Sequence, residues 1–342
     1  MIKKILLFLF LAIAGAIFYT VYNGARYRYF LQTPVRPGNI TNVSFSIRKG
    51  ETSTVVAKNL FEKNLILDEN ALKTYVKNKN LDRKIVAGRF MLSQNMVIPE
   101  IVQKITDPKQ GDVIFTVTEG MTIRDIDQKL VSYGLNQPNE FIQAVKKFNN
   151  YNKYSFIDEE KSRSLLYPLE GFLFPDTYFI DPGHFNNENL IDLILKNFQK
   201  KLPAQLLGNK KQEIQDLFNT IIIASIVEKE VKTAKDRPIV AGIFWKRLKN
   251  NWLLGADATL LYLKDSSQIG KTELHEDTPY NTRKNAGLPP GPISNPGIAS
   301  INAALKPEAS PYFYYLTKPK TGEVVYAKTN EEHNENKRKY LH

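Results

Sequence analysis

The chain has 342 residues, enough for two folded units, and its 42% apolar and 24% charged residues make an ordinary globular balance that excludes wholesale disorder. It has no cysteine, which excludes disulfides, thiolate metal sites and cysteine nucleophiles, and its four histidines (His184, His275, His333, His342) share no short metal-ligand spacing. A formal charge of +12 fits nucleic acid, anionic lipid or an acidic polymer as partner, or a compositional bias, and no nucleic-acid-binding motif accompanies it.

Residues 1–4 carry Lys3 and Lys4 and read as a short cytoplasmic N-terminus. The sequence ILLFLFLAIAGAIFYTV then runs without charge from Ile5 to Val21, with Tyr19, Tyr22, Tyr27 and Tyr29 at its far end. Residues 5–22 are expected to form a transmembrane helix with interfacial tyrosines. A cleaved signal peptide is the alternative, but Ala14-Gly15-Ala16 lies inside the apolar run rather than after it. Arg26 and Arg28 oppose the orientation that Lys3 and Lys4 favour, yet long C-terminal domains translocate largely regardless of such charges. The expectation is a single-pass protein of the inner (plasma) membrane, with its catalytic domain extracytoplasmic. Residues 23–42, with Pro34 and Pro37-Gly38, read as a linker.

Val43, Phe45 and Ile47 alternate with polar residues and predict a strand; Lys49-Gly50-Glu51 reads as a turn, and Thr52 can cap a following helix. The pattern recurs 70 residues later: VSFSIRKGETSTVVAKNL (43–60) aligns without gaps to VIFTVTEGMTIRDIDQKL (113–130). A second helical stretch follows each copy, ending near Val76 and Val145. A glycine-led apolar strand comes next, 87–92 and then 170–174. Two strand–helix–helix–strand units are expected. The first, residues 43–108, resembles the LysM module through Lys49-Gly50-Glu51-Thr52, which implies glycan binding; a purely structural role is the alternative. The second spans 113–180.

From residue 203 onward the pattern changes. Lys211 to Lys229 and Arg237 to Lys249 read as helices, with Asp236 as N-cap of the second and Pro238 in its first turn. Beyond Asn251 the chain is rich in Pro, Gly, Asn and Thr and reads as a long irregular segment, which its many tyrosines argue is ordered. The expected fold class is α+β: an N-terminal transmembrane helix, a small βααβ unit, and a mixed α/β domain over 109–342 built on a lysozyme-like glutamate helix, with the cleft in 203–342.

Leu217, Ile221, Ala224 and Glu228 lie at steps of 4, 3 and 4, which puts a carboxylate at the end of an apolar stripe. Desolvation there disfavours the charged form, and a carboxyl still protonated near neutral pH suits a glycosidase's general acid. The alternatives are a solvated glutamate at a frayed end, or an ion pair with Lys229, Lys232 or Arg247.

Ala224-Ser225-Ile226-Val227-Glu228-Lys229-Glu230 resembles the signature of the YceG-like family of endolytic murein transglycosylases. Leu169 to Tyr178, Asp257 with Thr259, Thr278 to Thr282, Gly287 to Ile293, Asn295-Pro296-Gly297, Thr329-Asn330 and His333-Asn334 resemble its further blocks in order. The resemblance implies cleavage within peptidoglycan strands between N-acetylmuramic acid and N-acetylglucosamine, leaving a 1,6-anhydro end. Glu228 would act as acid and then base, with no cofactor or metal. Ordinary glycosidases need two carboxylates, and Glu230 points about 200° round the helix from Glu228; the muramyl 6-hydroxyl removes the need for a second. The resemblance further implies proximity to wall synthases of the penicillin-binding class, where cleavage would terminate nascent strands. Nucleic acid is not expected as a partner.

The matched blocks also suggest substrate-binding residues. Tyr280, Asn281 and Thr282 can bond sugar hydroxyls or the acetamido group, or Asn281 can serve a turn by bonding its own backbone. Asp257 can hold a binding residue or cap a helix. Ser225 can bond a main-chain carbonyl or the sugar, and Glu170 can line the cleft or satisfy a strand end. Gly255-Ala256-Asp257-Ala258-Thr259 stands where the family has Gln-Ser-Asp-Pro-Thr, Arg283 where it has Tyr, and Val231 where it has Thr, which puts sugar contacts from these positions in doubt.

Overall fold

The computed structural model describes residues 2–108, 110–202, 211–264 and 273–341. The chain divides into two compact units, Met1–Phe115 with Phe179–Phe185, and Thr116–Tyr178 with Asn186–His342. Among the described residues helices dominate, and the strands form three separate two-stranded sheets.

The first unit opens with α1 (Ile2–Gln32), followed by β1 (Asn42–Ile47), α2 (Ser53–Glu62), α3 (Glu69–Asn78), β2 (Gly88–Ser93) and α4 (Ile98–Thr106). β1 and β2 pair antiparallel, with Phe45 opposite Phe90. One face of this pair, the inner sides of α2 and α3, and α4 enclose a core that includes Phe45, Ile47, Val56, Leu60, Leu72, Phe90 and Ile101. The order strand–helix–helix–strand is the expected one.

α1 departs from expectation at both ends. Its C-terminal part continues ten residues into the expected linker, because Tyr27, Phe30 and Leu31 pack on the first unit's core and Arg26 approaches Asp68 at 3.6 Å. Among the described residues no helix is long and apolar enough to cross a membrane. The side chains of Ile5 to Phe8, the start of the expected span, lie outside the described residues. From Leu9 to Tyr22 the large apolar side chains stand exposed, Phe18 at 71%.

The second unit contains α5 (Ile123–Ser132), α6 (Glu140–Lys146) and α7 (Glu159–Ser164). β3 (Val113–Val117) pairs with β4 (Asp176–Ile180). The expected strand at 170–174 is a turn instead, and the strand follows it. Leu169 and Gly171 take positive φ (69° and 90°), and the N–H groups of Gly171 and Leu173 bond the Asn295 side chain rather than a ladder partner.

Both repeats start their first helix with a threonine cap. Thr52 accepts from Val55 N at 3.4 Å. Thr122 forms a full box: its Oγ1 accepts from Asp125 N (3.1 Å) while the Asp125 carboxylate accepts from Thr122 N (2.8 Å). Losing such a cap costs about 1 kcal/mol. Thr122→Ala should therefore lower the urea-unfolding free energy by about 1 kcal/mol, and Thr52→Ala by less.

Next come α8 (Asn187–Lys201), α9 (Lys211–Glu230), α10 (Asp236–Lys249), α11 (Ala258–Leu261), α12 (Ile298–Leu305), β5 (Tyr314–Thr317), β6 (Val324–Ala327) and α13 (Asn330–Tyr340). The expected apolar stripe on α9 is a correction: Leu217, Phe218 and every residue from Ile221 to Val227 are buried, so the helix is enclosed on all sides. α10, α11 and α12 pack around it, which one stripe would not require. Asp236 is the first residue of α10 rather than its cap, and its carboxylate instead accepts from Tyr326 Oη at 2.7 Å. Among the described residues, the segment beyond Asn251 holds three α-helices (α11, α12 and α13) and a β5–β6 hairpin that its Pro/Gly/Asn-rich composition concealed.

Candidate active site

Glu228 lies in the last turn of α9, with its side chain 6% exposed. The long apolar body of α9 fixes it there: burial on every side leaves the helix no freedom to rotate or slide. Both carboxylate oxygens are engaged. Oε1 accepts from Arg237 Nη2 at 2.9 Å, and Oε2 accepts from the backbone N of Gly297 at 2.9 Å. Of the readings left open for Glu228, the geometry is an ion pair, with Arg237 rather than Lys229, Lys232 or Arg247. Arg247 instead bonds the Phe313 and Leu254 carbonyls.

Three segments converge on this carboxylate. The turn between β3 and α5 brings Gly120, where a Cβ would lie 3.6 Å from Glu228 Cγ. The 295–297 segment brings the Gly297 N–H, and the two are tied by Gly120 N donating to Asn295 O at 2.9 Å. The first turn of α10 brings Arg237. A second carboxylate does come near Glu228, though not from its own helix: Glu119 Oε2 is 3.8 Å from Arg237 Nη2. Sequence reasoning missed both Arg237 and Glu119. The signal available for Glu119 was the repeat, in which the turn residue before the shared glycine changes from Lys49 to Glu119.

Asn295 is fully buried and joins this corner to the core. Its Oδ1 accepts from Gly171 N (2.9 Å) and Leu173 N (2.8 Å), and its Nδ2 donates to Met121 O (3.0 Å) and Glu170 Oε1 (2.9 Å). Glu170 is also fully buried and accepts from Ile123 N and from Tyr262 Oη at 3.2 Å. It lines no open cleft in this state. Burial pushes its carboxyl up from 4.5 to about 8, against the donors that favour the charge. A folded value above the unfolded one contributes stability fully present below about pH 4.5 and lost as pH rises through about 8. Urea-unfolding free energies of the wild type should therefore fall between these limits, and Glu170→Gln should flatten that fall.

The other expected site residues are placed as follows. Ser225 is buried; its hydroxyl donates to Ile222 O (2.7 Å) and accepts from Ile293 N (3.0 Å), which joins α9 to the proline-rich loop. Tyr280 is 6% exposed and packs on Tyr262 with ring centroids 5.2 Å apart. Asn281 is buried and bonds the backbone of its own turn, donating to Glu276 O (2.8 Å) and accepting from Arg283 N (3.1 Å). Thr282 is buried and accepts from Ala256 N at 3.0 Å. Asp257 provides no side-chain cap to α11 and instead pairs with Arg283 at 2.5 Å. All these bonds are made to the chain itself.

Two cavities flank the end of α9. One of about 430 Å³ is walled by Lys229, Thr122, Arg124, Tyr262 and Ile293, next to the Glu228 corner. A larger one of about 710 Å³ lies against Glu230, Arg247, Asp257, Arg283, Trp252 and Tyr314. Burial raises the Glu230 carboxyl above its ordinary range.

Residues 45–339 match the YceG-like family. An endolytic murein transglycosylase of Bacillus subtilis (strain 168) is 33% identical, over 91% of this chain and 88% of that protein. The protein of the same description from Streptococcus pneumoniae serotype 2 is 28% identical over 97% of this chain, which spans 63% of its length. The crystal structure of a putative yceG-like protein from Listeria monocytogenes aligns with a TM-score of 0.61 and 31% identity, covering 86% of this chain and 99% of that one.

Proposed function

Since the chain belongs to the YceG-like family, we propose that it is an endolytic lytic transglycosylase that cleaves peptidoglycan glycan strands, with Glu228 as its catalytic acid and base. The observation that carries the assignment of Glu228 is its place: the motif glutamate is nearly buried, at the end of a helix held on all sides, in the corner where three segments converge.

In this reading Glu228 donates its proton to the glycosidic oxygen between N-acetylmuramic acid and N-acetylglucosamine. The muramyl 6-hydroxyl attacks its own anomeric carbon as that bond breaks, and the Glu228 carboxylate accepts the hydroxyl proton. A 1,6-anhydro end forms and no water is consumed. Two-carboxylate hydrolysis places its groups about 5–9 Å apart with both facing the sugar. Here Glu170 is sealed in the core and Asp257 is tied to Arg283, while the half-exposed Glu119 beside Arg237 is the carboxylate that a hydrolytic reading would use, and the nature of the sugar ends decides between the two. The buried Tyr280-Asn281-Thr282 turn then acts as scaffold for the rim rather than as a set of sugar contacts.

The charge-free run from Ile5 and the exposed apolar side chains of α1 support a single-pass anchor, with both units on the wall side of the plasma membrane. Strand cleavage close to the membrane would terminate elongation beside wall synthases. The strand–helix–helix–strand order of the first unit supports a LysM-like glycan-binding role for it.

The test is digestion of purified peptidoglycan by the full chain in detergent, with mass spectrometry of the sugar ends. Internal cleavage to anhydro-muramyl ends is expected. Reducing ends alone would overturn the lytic reaction, and absence of cleavage would leave a non-catalytic glycan-binding scaffold.

A further inference from the structure

Arg237 is the least satisfied group beside Glu228. The residue is 9% exposed, its Nη2 bonds Glu228, and its Nε is buried without a hydrogen-bond partner. A buried guanidinium is normally held through several of its five donors. Here one more carboxylate stands within reach: Glu119 Oε2 lies 3.8 Å from the same Nη2, too far for a hydrogen bond. The Glu119 side chain is 48% exposed, against 6% for Glu228.

Glu119 also explains a glycine. A Cβ on Gly297 would sit 1.9 Å from Glu119 Oε1, so the glutamate occupies the space a side chain would take. The backbone at Gly297 is ordinary (φ −74°, ψ 165°) and would admit any residue. Glu119 thus packs directly against Gly297, whose N–H is the one that holds Glu228 Oε2.

We propose that Glu119 and Arg237 form a relay that arms Glu228. In the free protein Arg237 Nη2 holds Glu228 Oε1. When glycan enters, the Arg237–Glu228 bond breaks and the guanidinium turns onto Glu119, where Nη2 and the unpaired Nε both find acceptors. Glu228, released from the guanidinium, is then free to face the glycosidic oxygen, and Arg237 returns to it when the product leaves. Glu119 is thus a positioning residue that acts through Arg237. The inference rests on the reading of Glu228 as the acid.

The test compares kcat and KM of the full chain on solubilised glycan strands for the wild type and four variants: Glu119→Gln, Gly297→Ala, Arg237→Gln and the double variant Glu119→Gln/Arg237→Gln. Glu119→Gln and Gly297→Ala, which displaces Glu119 and leaves all charges present, should each lower kcat by about tenfold or more with KM little changed. The double variant should be no worse than Arg237→Gln alone, because Glu119 has nothing to act on once the guanidinium is gone. Wild-type kcat in Glu119→Gln, a change confined to KM, or losses that multiply in the double variant would overturn the relay. A wild type that yields no anhydro ends, or a Glu228→Gln variant as active as wild type, would instead remove the catalytic reading beneath it.

Discussion

Glu228→Gln should abolish the formation of anhydro-muramyl ends and leave the chain folded. A positioned general acid contributes about 10²–10⁴-fold, and in the proposed reaction one group acts twice, so residual turnover should fall by at least that factor. Gln keeps the shape and an oxygen for the Gly297 N–H or for Arg237, so α9 and the 295–297 segment should hold their places. The measurement pairs product analysis with a thermal melt. Loss of product with a midpoint within a few degrees of wild type supports the assignment. Retained product sinks it, and a collapsed melt would mean that the ion pair with Arg237 holds the fold rather than serves the reaction.

Asn295→Ala should be strongly destabilising. It strips four hydrogen bonds at once, three of them buried, and takes their partner from Gly171 N and Leu173 N, while Met121 O keeps the Asn295 backbone N–H and Glu170 keeps Ile123 N and Tyr262 Oη. Net losses of about 1 kcal/mol per bond, with more for each group left bare, give about 3–5 kcal/mol. Urea unfolding monitored by tryptophan fluorescence reads this directly. Asn295→Asp discriminates further: it keeps the acceptor for Gly171 and Leu173, loses both donors, and sets a carboxylate against Glu170. If Asp is tolerated as well as Asn, the donor half of the network contributes little.

The two repeats could be read from the chain because alternation, a capping threonine and a turn glycine are local signals. The structure places β1, α2, α3 and β2 where those signals put them. The strand expected at 170–174 failed for a non-local reason: its backbone donors go to Asn295, more than 120 residues away. The apolar spacing that drew attention to Glu228 was real, but it was one row of a helix buried on every side. Periodicity alone therefore undervalued α9, and the motif identified its glutamate. Arg237 and Glu119 were invisible because their significance lies in their approach to Glu228, made across separate turns. The residues from 280 to 282 matched a family block, and their side chains are turned into the chain's own backbone and core.

The enclosure of α9 has a consequence for biosynthesis. If the two units stand on the wall side as proposed, the chain passes the translocon unfolded, and there a helix apolar on most of its surface resembles a stop-transfer segment. The uncharged stretch from Leu217 to Val227 is eleven residues, bounded by Asp216 and Glu228. At 1.5 Å per residue it spans about 16 Å, roughly half of a hydrocarbon core of about 30 Å. The carboxylates at its ends would have to enter lipid for it to lodge, at a cost of about 2.5–3.5 kcal/mol each near the bilayer centre. Under that proposal, the same glutamate that ends the buried helix would help the chain pass through rather than stay in the membrane.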